Sequence, residues 1–110
     1  MLGWAAATGL KGNDMGYLTI TTWELSDGAD WETNLRSVRE QRLPALKAMG
    51  ATKVTLVRTS SRTTAAISEW PDEQTRDDAM HLIAEVRRKV QAVDGFRLTG
   101  EMKGAVVAEV

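Results

Sequence analysis

Two hydrophobic rhythms take turns along this chain, and the pair of rhythms is written twice. From Tyr17 to Leu25 apolar and polar residues alternate, with Leu18 and Ile20 on one side and Thr19, Thr21 and Trp23 on the other, as in a half-buried strand. Ser26-Asp27-Gly28 interrupts the alternation, and the period then lengthens to that of a helix. Trp31, Leu35, Val38, Ala45, Leu46 and Met49 fall on one stripe, with Asp30 placed to cap the first turn and Gly50 to end the last. Pro44 inside this stretch lacks a backbone donor and crowds the preceding turn, so it kinks or restarts the helix. Alternation returns at Lys53 to Thr59, where Val54 and Leu56 oppose Thr55 and Val57.

The second pass follows at once. Ser60-Ser61 is short enough for a hairpin, and Thr63 to Trp70 alternates again. Pro71, Asp72 and Glu73 suit a helix start, where proline loses nothing and acids meet the positive end of the dipole. Ala79, Leu82, Ile83, Val86, Val90 and Val93 form its expected buried stripe, Asp94-Gly95 ends it, and Phe96 to Met102 is a last strand with Phe96, Leu98 and Met102 on one face. The tail from Ala105 to Val110 is apolar enough to pair with another segment or subunit.

Strand, helix, strand, strand, helix, strand is the split ferredoxin-like order. The expected class is α+β: a four-stranded antiparallel sheet with two helices on one face, its first and third strands neighbours at the centre and, in this reading, parallel to each other. Leu18, Ile20, Val54, Leu56, Ala65, Ile67, Leu98 and Met102 are expected to form the wall beneath the helices. The opposite face would carry Thr19, Thr21, Trp23, Thr55, Val57, Thr64, Ala66, Ser68, Trp70, Arg97, Thr99 and Glu101. Two indoles on an open sheet make an unusual exposed patch, so a second copy related by a two-fold axis is expected to cover it, giving a homodimer joined sheet to sheet.

Composition narrows the partners. At 110 residues the chain reads as one domain over 15–110, preceded by an arm over 1–14 whose broken apolar run is too short for a bilayer span. A net charge of -1 supplies no field for phosphates, so neither nucleic acid nor membrane is an expected partner. With no cysteine there is no thiolate nucleophile, disulfide or zinc-thiolate cluster, which fits a cytoplasmic protein.

The strand ending at Glu69-Trp70 before an acidic helix start, Leu43-Pro44 late in the first helix and Gly50 behind it resemble the dimeric alpha/beta-barrel proteins, in particular the antibiotic-biosynthesis-monooxygenase-like branch. The resemblance spans Tyr17 to about Val107. It implies two ferredoxin-like subunits in a dimer, in a family that includes cofactor-independent oxygenases, haem-degrading enzymes, lactone isomerases and proteins of unknown role. Three functions follow as expectations: a monooxygenase-like or isomerase-like enzyme using no cofactor on a small aromatic or enolisable compound; a non-catalytic ligand-binding or stress-related dimer; and haem binding through His81.

Individual residues carry these expectations unevenly. Glu24 and Glu69, placed at one end of adjacent parallel strands on the helix side near Trp31, would form an acid–base pair, or would simply sit in the positive field of helix N-termini. Arg42 falls in the buried stripe, where its charge needs a partner; it would clamp a ligand carboxylate or phenolate, unless Pro44 shifts the phase and Leu43 turns inward instead. Trp23 and Trp70 are placed between the two sheets, as anchors of the interface or platforms for an aromatic ligand. His81 lies opposite the buried stripe, beside Asp77 and Glu85, and reads as a surface residue. No carboxylate spacing supports a metal, and Arg87-Arg88-Lys89 reads as a solvated face.

Overall fold

In the computed structural model, residues 16–110 are described, so the arm over 1–14 lies outside the described residues. The elements run β1 (Tyr17–Leu25), α1 (Trp31–Ser37), a π-helical turn (Val38–Arg42), α2 (Leu43–Ala48), β2 (Lys53–Arg58), β3 (Thr63–Trp70), α3 (Glu73–Asp78), α4 (Met80–Ala92) and β4 (Phe96–Ala105). The sheet order is β2-β3-β1-β4, which is the ferredoxin-like arrangement. All three ladders are antiparallel. The first and third strands are therefore neighbours as expected but run in opposite directions, because each crossover leaves a gap that an antiparallel strand fills.

Local chemistry explains the helix boundaries. Asp30 and Asp72 cap their helices by accepting from the backbone N–H of Thr33 and Thr75, at 2.9 and 2.7 Å. Both carboxyls are held below the usual aspartate range, Asp30 first by the Thr33 side chain and then by its backbone N–H, Asp72 first by the Thr75 backbone N–H and then by its side chain. At Pro44 the chain widens into the π-helical turn, where Leu43 N–H reaches back to the Val38 carbonyl. That turn relieves the clash a proline ring makes with a normal preceding turn. Arg42 at its end and Leu43 just after it both border the cavity over the sheet.

The faces of β1 and β3 are the reverse of those expected. Tyr17, Thr19, Thr21, Trp23 and Leu25 are buried beneath the helices, and so are Thr64, Ser68 and Trp70. Leu18, Ile20, Ala65 and Ile67 lie on the outer face. The reason is register. Backbone Thr59 N–H bonds the Thr63 carbonyl, so the hairpin closes around Ser60-Ser61-Arg62 and aligns Val54 with Ser68 and Leu56 with Ala66. A two-residue turn at Ser60-Ser61 would instead have set Val54 opposite Ile67, and a one-residue change moves a whole strand's side chains to the other face.

A second shift occurs in β4, where a bulge between Thr22 and Trp23 of β1 adds a residue. Phe96 and Leu98 face the helices; past the bulge Glu101 takes that side and Met102, 67% exposed, turns outward. Gly100 suits the bulge because a Cβ there would lie 2.9 Å from the Thr22 hydroxyl. Leu82 and Val93, expected in the α4 stripe, are exposed, while Ala79, Ile83 and Val90 are buried. The break between α3 and α4 falls at Ala79, and the inward-facing spacing runs across it from the buried Arg76.

The core divides in two. One cluster gathers Tyr17, Ala51, Trp70, Ala79 and Ile83; the other gathers Trp23, Leu25, Val38, Val90 and Phe96. Between them, under the helices, lies the candidate site.

Candidate ligand-binding site

The strands supply a floor of hydroxyls between two indoles. Across the rungs of the sheet Thr19 stands beside Ser68, Thr21 beside Ala66 and Trp23 beside Thr64, while Trp70 stands beside Tyr17. The two indoles are thus separated by roughly 20 Å along the strands. Leu43, Leu46, Ile83, Val86 and Val90 line the space from the helices, and Arg42 and Arg87 enter from the same side. The cavity has a volume of about 60 Å³ and is partly open to solvent.

Its polar groups are few and unevenly satisfied. Trp23 Nε1 donates to Thr21 Oγ1 at 2.8 Å. The Trp70 Nε1 proton and the Thr19 hydroxyl are buried with no partner among the described residues. A buried N–H or hydroxyl without a partner costs free energy, so such groups point to water or to a ligand. Among the described residues no group of carboxylates, histidines or cysteines is arranged to hold a metal ion.

Arg42 is fixed by a partner that the sequence reading passed over. Asp94, at 1% exposed the most deeply buried of the described residues, accepts from Arg42 Nε at 2.8 Å and Nη2 at 3.1 Å. Ser37 Oγ adds a third bond at 2.6 Å, and Asn34 reaches the Asp94 carbonyl. Gly95 permits that approach: its φ of 76° and a Cβ that would lie 2.5 Å from Asn34 Nδ2 exclude a side chain. Arg42 borders the cavity, but two of its nitrogens are committed to Asp94.

At the β4 side, Glu101 Oε2 accepts from Arg87 Nη2 at 2.8 Å and from Arg76 Nη2 at 3.3 Å. The Arg87 hydrogen bond is the main reason the Glu101 carboxyl is held below the usual glutamate range. Arg87, expected on a solvated face, instead turns to the cavity, while its neighbour Arg88 pairs with Glu85 at the surface. Arg76 is 97% enclosed, its side chain only 3% exposed. A signal for it existed: Arg76 continues the Ala79, Ile83 and Val90 spacing by one more step. Nearby, burial first and Glu73 next push the Tyr17 phenol upward.

The other sequence candidates are dispersed. Glu24 and Glu69 do not meet: antiparallel pairing sets Glu24 opposite Thr63 and Glu69 opposite Leu18, toward opposite ends of the sheet. Both share the outer face with Leu18 and Ile67, not the helix side. Glu24 pairs with Arg97, and Glu69 borders an open groove of about 440 Å³ under Val106, Ala108 and Glu109. Trp31 lies outside the cavity, packed edge-on against Phe96 at 6.0 Å with the Arg58 guanidinium 3.9 Å above its ring. Trp23 and Trp70 lie under the helices rather than between sheets, because the face assignment reversed. His81 is exposed on α4 and does not line the cavity.

At the sequence level no family profile and no curated protein matches the chain. Solved structures do resemble it. One is a dimeric ferredoxin-like protein from an uncultured marine organism, 16% identical over 93% of this chain and 97% of that one, with a TM-score of 0.60. Another is a protein of unknown function from Nitrosomonas europaea, 16% identical over 88% and 95%, with a TM-score of 0.62. These likenesses carry the ferredoxin-like fold; they assign no activity and do not single out the monooxygenase branch.

Proposed function

We propose that this protein is a homodimer, joined sheet to sheet, that binds one small, mostly apolar organic compound in the cavity of each subunit. The observation that carries the reading is the pair of unpartnered buried donors, Trp70 Nε1 and Thr19 Oγ1, set in a mostly apolar enclosure. Preformed apolar spaces with a few convergent polar groups are what small-molecule sites look like. The volume selects among ligands. A cavity that takes benzene measures about 150 Å³, against about 60 Å³ here. A short enolisable compound fits, and a single aromatic ring fits with part of it in the open mouth.

The dimer reading rests on the outer face, where Leu18, Ile20, Ala65 and Ile67 adjoin the exposed Val57 and Met102. An apolar sheet face of this kind calls for a cover. The similar marine protein is described as dimeric, which supports a second copy in that role.

Monooxygenase-like or isomerase-like turnover needs a group to take the substrate's proton, and among the described residues the cavity lining contains no carboxylate or imidazole. Ligand binding, in a non-catalytic or stress-related dimer, is therefore the better supported form of the proposal. The surface position of His81 gives haem no axial ligand in the cavity. No described helix is long and apolar enough to cross a membrane.

A thermal-shift screen of the full chain with quinols, lactones, hydroxylated aromatics and short keto compounds tests this. A ligand at about a hundred times its Kd adds about 2.7 kcal/mol, or roughly 10 °C or more in a domain of this size. It should also alter tryptophan fluorescence. Any hit is then assayed for oxygen consumption and product. No shift and no fluorescence change with any of these classes would overturn the proposal.

A further inference from the structure

We infer that the compound bound in the cavity is an organic anion, a carboxylate or an enolate, with its charged oxygen against Arg87. The inference rests on the ligand-binding reading above and adds the charge of the ligand.

The charge balance of the lining leads there. Two guanidiniums border the cavity, and no acid of the described lining faces them. Arg42 is neutralised by Asp94, which occupies its Nε and Nη2. Arg87 is not matched in that way. It uses one nitrogen, Nη2, on Glu101 Oε2, and the same oxygen also serves Arg76. One carboxylate oxygen thus answers two guanidiniums. Asp77 approaches Arg76 only to 3.8 Å, from a position 41% exposed. Arg76 Nε is buried and unpartnered, and the remaining Arg87 nitrogens have no acceptor among the described residues.

The neighbouring donors converge on the same place. Glu101 stands beside Thr21 in the sheet, and the next inward-facing residue of β1 is Thr19, whose hydroxyl lacks a partner. Guanidinium N–H groups and a hydroxyl lining a mostly apolar space suit a charged oxygen, and the low dielectric strengthens such charge-assisted bonds. A neutral carbonyl could accept from Arg87 but would leave its charge only partly balanced.

Matched pairs test this with the full chain: benzoate against benzamide and acetoacetate against acetoacetamide, titrated by tryptophan fluorescence and thermal shift at pH 7. The acid of each pair should bind at least tenfold tighter than its amide. Arg87→Met should remove that preference by weakening the acid far more than its amide, and Arg87→Lys should restore part of it. Because Arg87 also supports Glu101, a second variant is included: Glu101→Gln frees the guanidinium, and acid binding should tighten several-fold. Amides that bind as tightly as acids would overturn the anion inference and leave the ligand-binding reading standing. A preference that persists in Arg87→Met would place the charged oxygen elsewhere and overturn it too. Absence of binding by acids and amides alike would overturn both.

Discussion

Asp94→Ala is the substitution with the largest expected effect on the fold. In the native protein the Asp94 carboxylate lies at the junction of α4 and β4, its side chain fully enclosed, and accepts from two Arg42 nitrogens and from Ser37. Removing one member of a buried ion pair leaves the other charge without a partner, which costs about 3 to 5 kcal/mol. Arg42 keeps 11% of its side-chain exposure and borders a partly open cavity, so water reaches part of it. The cost therefore belongs near the lower end, about 3 to 4 kcal/mol, once the lost Ser37 bond is included. Domains near this size lose about 4 to 8 °C per kcal/mol, so Tm should fall by roughly 12 to 32 °C. Calorimetry or urea unfolding followed by circular dichroism reads this directly. The double variant Arg42→Met/Asp94→Leu removes both charges and should recover to within about 1 kcal/mol of the native protein, since apolar replacement of both partners is often neutral. An Asp94→Ala protein within about 1 kcal/mol of native, or a double variant as unstable as the single, would refute the assignment of this pair as the clasp between the π-helical turn and β4.

Three further outcomes are expected. Thr19→Val removes a buried, unpartnered hydroxyl at nearly constant shape and should stabilise the unliganded chain by about 1 kcal/mol in urea unfolding, while weakening any ligand found by fluorescence titration. Ile20→Glu, at the centre of the outer face opposite Ile67 and Met102, should yield monomers by light scattering while the cavity keeps its ligand. Glu101 has a carboxyl lowered from its ordinary 4.5, so its stabilisation is complete above that value and is lost as the pH falls through the lower folded value; Glu101→Gln should therefore flatten the acid limb of stability below that ordinary value and leave the neutral region's slope unchanged.

What the chain alone determined was the list and order of its elements. Strand and helix periods, the caps Asp30 and Asp72, and the stops at Gly50 and Gly95 are written within a few residues of where they act, so β1 and β3 could be bounded and the ferredoxin-like order read off. The stripe Val38, Leu46 and Met49 likewise pointed to the helix face that packs. Arg42 was visible as a charge out of place, because it stands inside that apolar stripe.

Tertiary structure decided which faces look inward and which charges meet. Each strand offered two half-apolar faces: Tyr17, Trp23 and Leu25 compete with Leu18 and Ile20, and composition alone does not choose between them. The choice was made by one extra residue, Arg62, in the β2–β3 turn and by the bulge at Thr99 and Gly100, since parity in a sheet turns on single residues. The Arg42–Asp94 pair joins residues 52 apart, and the Arg76, Arg87 and Glu101 group joins α3, α4 and β4. Local patterns have no means of recording such meetings. The hydroxyl floor of the cavity arose the same way: threonines and serine that look suited to solvent are buried because Trp23 and Trp70, large and mostly apolar, carry their strands' faces inward with them.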